Sequence, residues 1–184
     1  MHKESEPLAI AICALLALTT IHADETSSWL TDPASGVKLW NPAPVAGETA
    51  EWLGAAQEAT GPGVAIWRVN GADTEQAAGE WKAGKLDGYG VWRHSSGARY
   101  EGQWKNGQKH GLGVYTWADG KRFCGRYLDG KRQEGAFYHA DGKSAGDQAP
   151  SPAARKQTFD AESAALRARQ AAVDARRRAN RITP

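Results

Sequence analysis

The side chains able to do chemistry are few in this sequence, and their spacing gives them little to do together. Beyond the N-terminal segment the histidines are His94, His110 and His139. They hold unrelated places in the pattern described below, and no acidic or nucleophilic partner stands at a motif spacing from any of them. Acid–base or nucleophilic catalysis needs such groups to converge, so the expectation is a chain that is not an enzyme and has no catalytic residues. No Cys/His spacing recurs, so neither a metal nor a cofactor is expected. The cysteines are Cys13 and Cys124. Removal of the N-terminal segment would leave Cys124 alone and unable to close an internal disulfide. It reads as a small half-buried filler, with an intermolecular disulfide as the alternative.

Charge offers more. Lys82 and Lys85, Lys105 and Lys109, and Lys131 and Arg132 recur as pairs beside Gly84, Gly107 and Gly130. If those glycines mark turns, the six cations line one rim, and such a row attracts anionic lipid head groups at about 1 kcal/mol per near-surface charge. The competing reading is solubility, because Glu80, Asp87, Glu101 and Asp129 stand nearby. Residues 24–150 hold 14 Lys/Arg against 16 Asp/Glu, whereas 151–184 hold eight against three. A nearly neutral body does not suit phosphate binding, so no nucleic-acid partner is expected. All eight Trp lie between Trp29 and Trp117, which concentrates packing material in the body. Exposed rings such as Trp92 or Trp117 would also serve as a stacking platform for a cell-wall glycan.

These side chains need a frame, and self-comparison supplies one. Gly79, Gly102 and Gly125 are 23 apart, as are Gly84, Gly107 and Gly130; Trp81, Trp104 and Tyr127 keep the step, and so do Trp92, Tyr115 and Tyr138. A fixed period of this length marks a repeat architecture. In the clearest copy, Tyr100, Gly102 and Trp104 alternate onto one face of a strand. Asn106-Gly107 then makes a tight turn, and Gly111, Gly113, Tyr115 and Trp117 share a face of the return strand. Gly88 and Gly90 hold the corresponding places one copy earlier. Glycine weakens a strand, so its recurrence implies rings lying over bare backbone. A lone hairpin is marginal in water, so the copies must stack side by side.

Tyr100-Glu-Gly-Gln-Trp104, Asn106-Gly107, His110-Gly-Leu-Gly113 and Tyr115 resemble the MORN repeat. Gly79-Glu-Trp81, Gly84, Asp87-Gly-Tyr-Gly90 and Trp92 resemble it again, as do Phe123-Cys-Gly-Arg-Tyr127, Gly130, Gly135 and Tyr138. The last copy departs from the pattern, since Glu134 and Ala136 fall where the paired glycines belong. A degenerate first copy is expected in Trp52-Leu-Gly54, Gly61-Pro-Gly63, Trp67 and Asn70-Gly71. Val37-Lys-Leu-Trp40-Asn-Pro42 resembles the lead-in of small exported bacterial proteins of this family, where it would cap the first hairpin. The resemblance implies a curved, elongated antiparallel sheet and a scaffold, protein-binding or membrane-associated role.

Residues 1–23 read as a removable export signal, because the apolar run Leu8 to Thr20 precedes Ile21-His22-Ala23. The run falls short of the roughly 20 residues that span a bilayer. Residues 143–157 read as a linker, and 158–181, without Gly or Pro, as an Ala/Arg-rich helix. Ala161, Ala165, Ala168, Ala172, Ala175 and Ala179 alternate in steps of four and three, the spacing of a coiled-coil seam, with Phe159, Leu166 and Val173 in a parallel row. Alanine buries little, so the competing reading is a solvated helix that frays.

The expected architecture is therefore all-β: an elongated antiparallel sheet of stacked hairpins at about 51–71, 77–97, 100–120 and 123–142, after a signal (1–23) and a cap (24–50), and before a linker and helical tail. The expected function is a non-catalytic interaction module in the cell envelope, periplasmic or secreted, that binds a protein or a second copy of itself. An anionic membrane surface and a glycan are the alternative partners.

Overall fold

Four two-residue turns set the ladder. Asn70–Gly71, Ala83–Gly84, Asn106–Gly107 and Asp129–Gly130 each place both residues at positive φ, between 46° and 80°. That is the geometry whose twist matches paired strands. The computed structural model describes residues 28–54, 58–146 and 151–182; the signal expected at 1–23 lies outside the described residues. Strands β3 (Glu48–Gly54), β4 (Gly61–Val69), β5 (Ala72–Lys82), β6 (Lys85–His94), β7 (Arg99–Lys105), β8 (Gln108–Thr116), β9 (Arg122–Leu128) and β10 (Lys131–Tyr138) form one antiparallel sheet in chain order.

The lead-in forms its own hairpin, β1 (Trp29–Thr31) with β2 (Lys38–Trp40). It reaches beyond the first hairpin that it was expected to cap. Trp40 N donates to Gly84 O at 2.9 Å, and the Trp40 ring lies directly over Gly107, so β2 straps the tips of the next two hairpins.

The paired glycines meet across each hairpin: Gly79 faces Gly90, Gly102 faces Gly113, and Gly125 faces Gly135. A Cβ on Gly102 would stand 2.6 Å from Gly113 Cα, and one on Gly113 would stand 2.6 Å from Tyr100 Cζ. The backbone pairs are pressed together beneath rings, as Tyr100 on Gly113 and Phe123 on Gly135 illustrate. Gly88 and Gly111 have a different reason. They sit at positive φ under the side chains of Glu80 and Gln103, which reach across to accept from Tyr89 N and Leu112 N, both at 2.8 Å.

The last hairpin keeps its glycine pair although one residue is missing. Gly79 to Gly90 and Gly102 to Gly113 are 11 residues apart, while Gly125 to Gly135 are 10. The irregularity beside the pair shortens by one to absorb the difference. Because side chains alternate with period two, this slip turns Tyr138 onto the opposite face from Trp92 and Tyr115. Phe137 takes the ring place, opposite Phe123.

The helix α1 (Pro152–Ile182) begins six residues before the expected Thr158, so the linker is correspondingly shorter. Ser151 Oγ accepts from Ala154 N at 3.2 Å and Pro152 opens the first turn, a favourable start that propensity over the Ala/Arg run did not register. The helix neither frays into solvent nor joins a coiled coil. It lies across the sheet and buries Ala161, Ala165, Ala168, Ala172, Ala175 and Ala179 against it. The physical reason is a match of lengths. Seven helical residues advance about 10.5 Å, and two strands span about 9.6 Å. Each heptad therefore meets one hairpin. Glu162, Arg169 and Arg176 reach Arg122, Glu101 and Gln76 on β9, β7 and β5 in turn. Alanine lets the helix approach closely, while Phe159, Leu166 and Val173 face outward.

Candidate functional site

With one face of the sheet covered by α1, the other carries the rings. Trp52, Trp67, Trp81, Tyr100, Phe123 and Tyr127 are buried there; Trp92, Trp104, Tyr115 and Trp117 are half-buried. They pack mostly edge to face. Tyr100 lies 5.1 Å from Trp104 and 5.0 Å from Tyr127, both near perpendicular, and Trp117 stacks on Phe137 at 6.1 Å. Such pairs add about 0.5–1.5 kcal/mol each beyond area burial. Three indole N–H groups are tied down, Trp81 to Gly63 O and Trp104 to Gly90 O, each at 3.0 Å, and Trp92 to Glu75 Oε2 at 2.7 Å, whereas those of buried Trp52 and Trp67 have no hydrogen-bond partner among the described residues. Those three rings are thus held in fixed orientation.

The six rim cations divide. Lys82, Lys105 and Lys131 are exposed at the hairpin tips, as the spacing implied. Lys85, Lys109 and Arg132 instead fold over rings. Lys85 Nζ stands 5.2 Å from Trp29 and 5.1 Å from Trp40, and Lys109 Nζ stands 5.2 Å from Tyr115, 5.7 Å from Trp92 and 6.0 Å from Tyr100. Arg132 lies 5.2 Å from Trp117 and 5.5 Å from Phe137. Ring quadrupoles attract cations, so this placement is favourable. Burial pushes the Lys109 pKa below that of ordinary lysine; the nearby Arg132 charge adds to the drop and Glu75 opposes it. Lys85 and Lys109 are therefore drawn partly into the ring face, while Arg132 stays exposed above it beside the outward tips Lys82, Lys105 and Lys131.

Two adjoining hollows open on this face. The first, of ≈ 300 Å³, is walled chiefly by Trp40, Trp67, Trp81, Trp92 and Trp104, with Ala77 beneath and Glu75 and Lys109 at its side. Such a pocket, mostly aromatic with a few convergent polar groups, is the usual form of a binding site. The second shares Lys109 and Gly130 with the first and adds Tyr115, Trp117, Lys131 and Arg132.

The back face explains the other singled-out residues. Cys124 is fully buried beneath Ala161 and Ala165, which makes it a filler rather than a candidate for intermolecular disulfide formation. Tyr138, expected among the rings, packs on this back face and shares a 2.8 Å hydrogen bond with Thr158. His110 Nδ1 stands 3.5 Å from Asp129 at a hairpin tip. Arg167 meets the Tyr89 hydroxyl at 3.2 Å, Arg169 pairs with buried Glu101 and Arg176 donates to Gln76 at 2.9 Å, so three of the tail's seven arginines engage the sheet. Sequence reasoning did not single out Ala77, Glu75 or Phe137. The step of 23 from Tyr100 back to Ala77 was the signal for the first.

Among the described residues no group of three or more His, Cys, Asp or Glu is arranged to hold a metal ion. Residues 78–99 and 100–122 match the family model of the MORN repeat. Repeats of this family are typically protein- or membrane-interaction modules and are generally non-catalytic. No curated protein matches the chain.

Proposed function

We propose that the chain is a non-catalytic interaction module, exported to the cell envelope, whose ring-bearing sheet face binds a protein partner. The observation that carries this reading is the asymmetry of the two faces. The chain covers one face with its own helix and leaves Trp92, Trp104, Tyr115 and Trp117 half-exposed on the other. Contiguous apolar surface of that kind, rimmed by polar groups, marks contact with another molecule. The rigid indoles give large contact area at little entropic cost, which suits a hot spot. Export rests on the apolar run Leu8 to Thr20 alone.

The test is site-specific photo-cross-linking in the native cell. A benzophenone placed at Trp117 should give a discrete adduct that disappears in a Trp92→Ser background, while the same group at Phe159 on the outer helix face should give none. Equal adducts from both positions, or none from Trp117, would exclude the ring face as the interaction surface. Cell fractionation reads the localisation independently.

A further inference from the structure

The repeat predicts a ring where the structure has a hollow. Tyr100 and Phe123 occupy one register, 23 residues apart, and both are buried. One step earlier the residue is Ala77. The pairing confirms the equivalence, since Tyr100 faces Tyr115 just as Ala77 faces Trp92. Tyr100 packs edge-on between Trp104 and Tyr127. Moved back one repeat, the same ring would stand between Trp81 and Trp104. Those two indoles, with Ala77 and Trp92, line the ≈ 300 Å³ hollow. A dry cavity of about 150 Å³ already holds a benzene ring. Leu86 takes up part of that place, since its Cδ2 would stand 3.0 Å from a Cβ on Gly90 where Tyr100 covers Gly113, and Ala77 is 1 % exposed. The open volume above them still has room for an aromatic side chain.

Charge continues the site. The adjoining trough is lined by Lys109, Lys131 and Arg132 beside Tyr115 and Trp117, and no carboxylate lines it. Two carboxylates line the first hollow: Glu75, which accepts from the Trp92 indole, and Asp129, which stands 3.5 Å from His110 Nδ1. Cations beside an aromatic wall, Lys109 and Arg132 lying over its rings, complement a carboxylate that follows closely on an inserted ring.

We propose that the hollow above Ala77 receives an aromatic side chain from a polypeptide partner, supplying the ring that the ladder lacks, and that the adjacent acidic residue of that partner lies in the Lys109–Lys131–Arg132 trough. This rests on the reading of the ring face as the interaction surface, and it names the partner as an acidic segment with an aromatic anchor.

The experiment uses the full chain, ¹⁵N-labelled, and short peptides of the form Gly-Xaa-Glu-Glu-Gly with Xaa as Trp, Tyr, Phe, Leu or Ala, together with a Gly-Trp-Lys-Lys-Gly control. The aromatic acidic peptides should shift the indole N–H signals of Trp81, Trp92 and Trp104, binding about tenfold more tightly than the Ala peptide. Ala77→Phe should abolish those shifts, with its melting curve reporting that the fold persists; Trp92→Leu should weaken them if Ala77→Phe does not fold. Lys109→Gln should narrow the preference for acidic over basic peptide about fivefold. Equal response to Ala and Trp peptides, undiminished binding by Ala77→Phe, or a preference for the lysine peptide would overturn the proposal. So would sedimentation with phosphatidylglycerol vesicles while every peptide leaves the indoles unmoved. Cross-linking at Trp117 that persists without any aromatic preference would leave the interaction surface standing and remove only the pocket assignment.

Discussion

Arg169 grips Glu101 with both ends of its fork, Nε to Oε1 at 3.0 Å and Nη2 to Oε2 at 2.7 Å, across the seam between helix and sheet. Glu101 is 2 % exposed, and its register neighbours in the flanking repeats are Ala78 and Cys124, both buried beneath the same helix. One repeat in three therefore exchanges a small filler for a charge that must be paired.

That exchange predicts an asymmetric mutant cycle. Arg169→Ala leaves the carboxylate buried with only Arg99 within reach, at 3.7 Å, and should cost about 3 kcal/mol. Adding Glu101→Ala removes the stranded charge and restores the small residue found at 78 and 124. The double variant should then lie within about 1 kcal/mol of the parent. Urea denaturation measures all four corners. A loss below about 0.5 kcal/mol in Arg169→Ala would class the pair with ordinary surface bridges.

Gly113→Ala should be far more damaging than Gly130→Ala. The added methyl at 113 would press into the Tyr100 ring, which is fully buried and anchored by its hydroxyl to Gln103 O at 3.0 Å, so neither partner can move. Overpacking of this kind costs about 3 kcal/mol. At Gly130 nothing lies within 4 Å, and the cost is only that of a left-handed backbone at φ 80°, roughly 1–2 kcal/mol. Combining Gly113→Ala with Tyr100→Leu should recover part of the first loss. Equal thermal shifts for the two single glycine variants would contradict the ring-over-backbone account.

The hairpins, their turns and the ring face were legible because glycine and aromatic spacing is local and strongly constrained. Lys109 was legible too, in principle. It alternates with Gly111, Gly113 and Tyr115 and so belongs on their face, but its charge and its place near a turn suggested an outward tip. Tyr138 was misplaced because the period of 23 carries over one deleted residue between Gly130 and Gly135, and a one-residue slip reverses a strand's faces. The docking of the helix was hidden for a different reason. Alanine gives a weak amphipathic signal, and the match between seven helical residues and one hairpin becomes visible only once the sheet's width is known. Contacts such as Arg169 to Glu101, 68 residues apart, leave no spacing to read.

Removal of residues 151–184 should convert a well-behaved chain into a sticky one. Val64, Ile66, Ala78, Val91, Val114 and Cys124 all lie against the helix, and deletion exposes them as one apolar strip. Light scattering should show association, and dye binding to apolar surface should rise. Ala168→Leu should give a milder form of the same result, because a larger side chain lifts a helix seated on alanines. A truncated chain that stays monodisperse with an unchanged melting temperature would show that the sheet does not need its cover.

Cys124 reports on that cover without any deletion. Burial pushes its thiol up to about 11; Glu162 adds to the rise and Arg122 opposes it. Thiolate is the reactive form, so at pH 8 the folded chain holds about one thiolate per thousand thiols, and the sulfur is fully enclosed. Iodoacetamide should therefore label Cys124 only through opening, slowly in the full chain and rapidly in urea. The sign of the linkage follows. A thiol whose folded pKa exceeds the unfolded value, near 9, contributes stability that is complete below pH 9 and is lost as pH rises towards about 11. Ala165→Glu, which wedges the helix away from this cysteine, should speed labelling at pH 8 by at least tenfold. Labelling of the parent chain as fast as a free thiol would mean that the helix does not stay seated on the sheet.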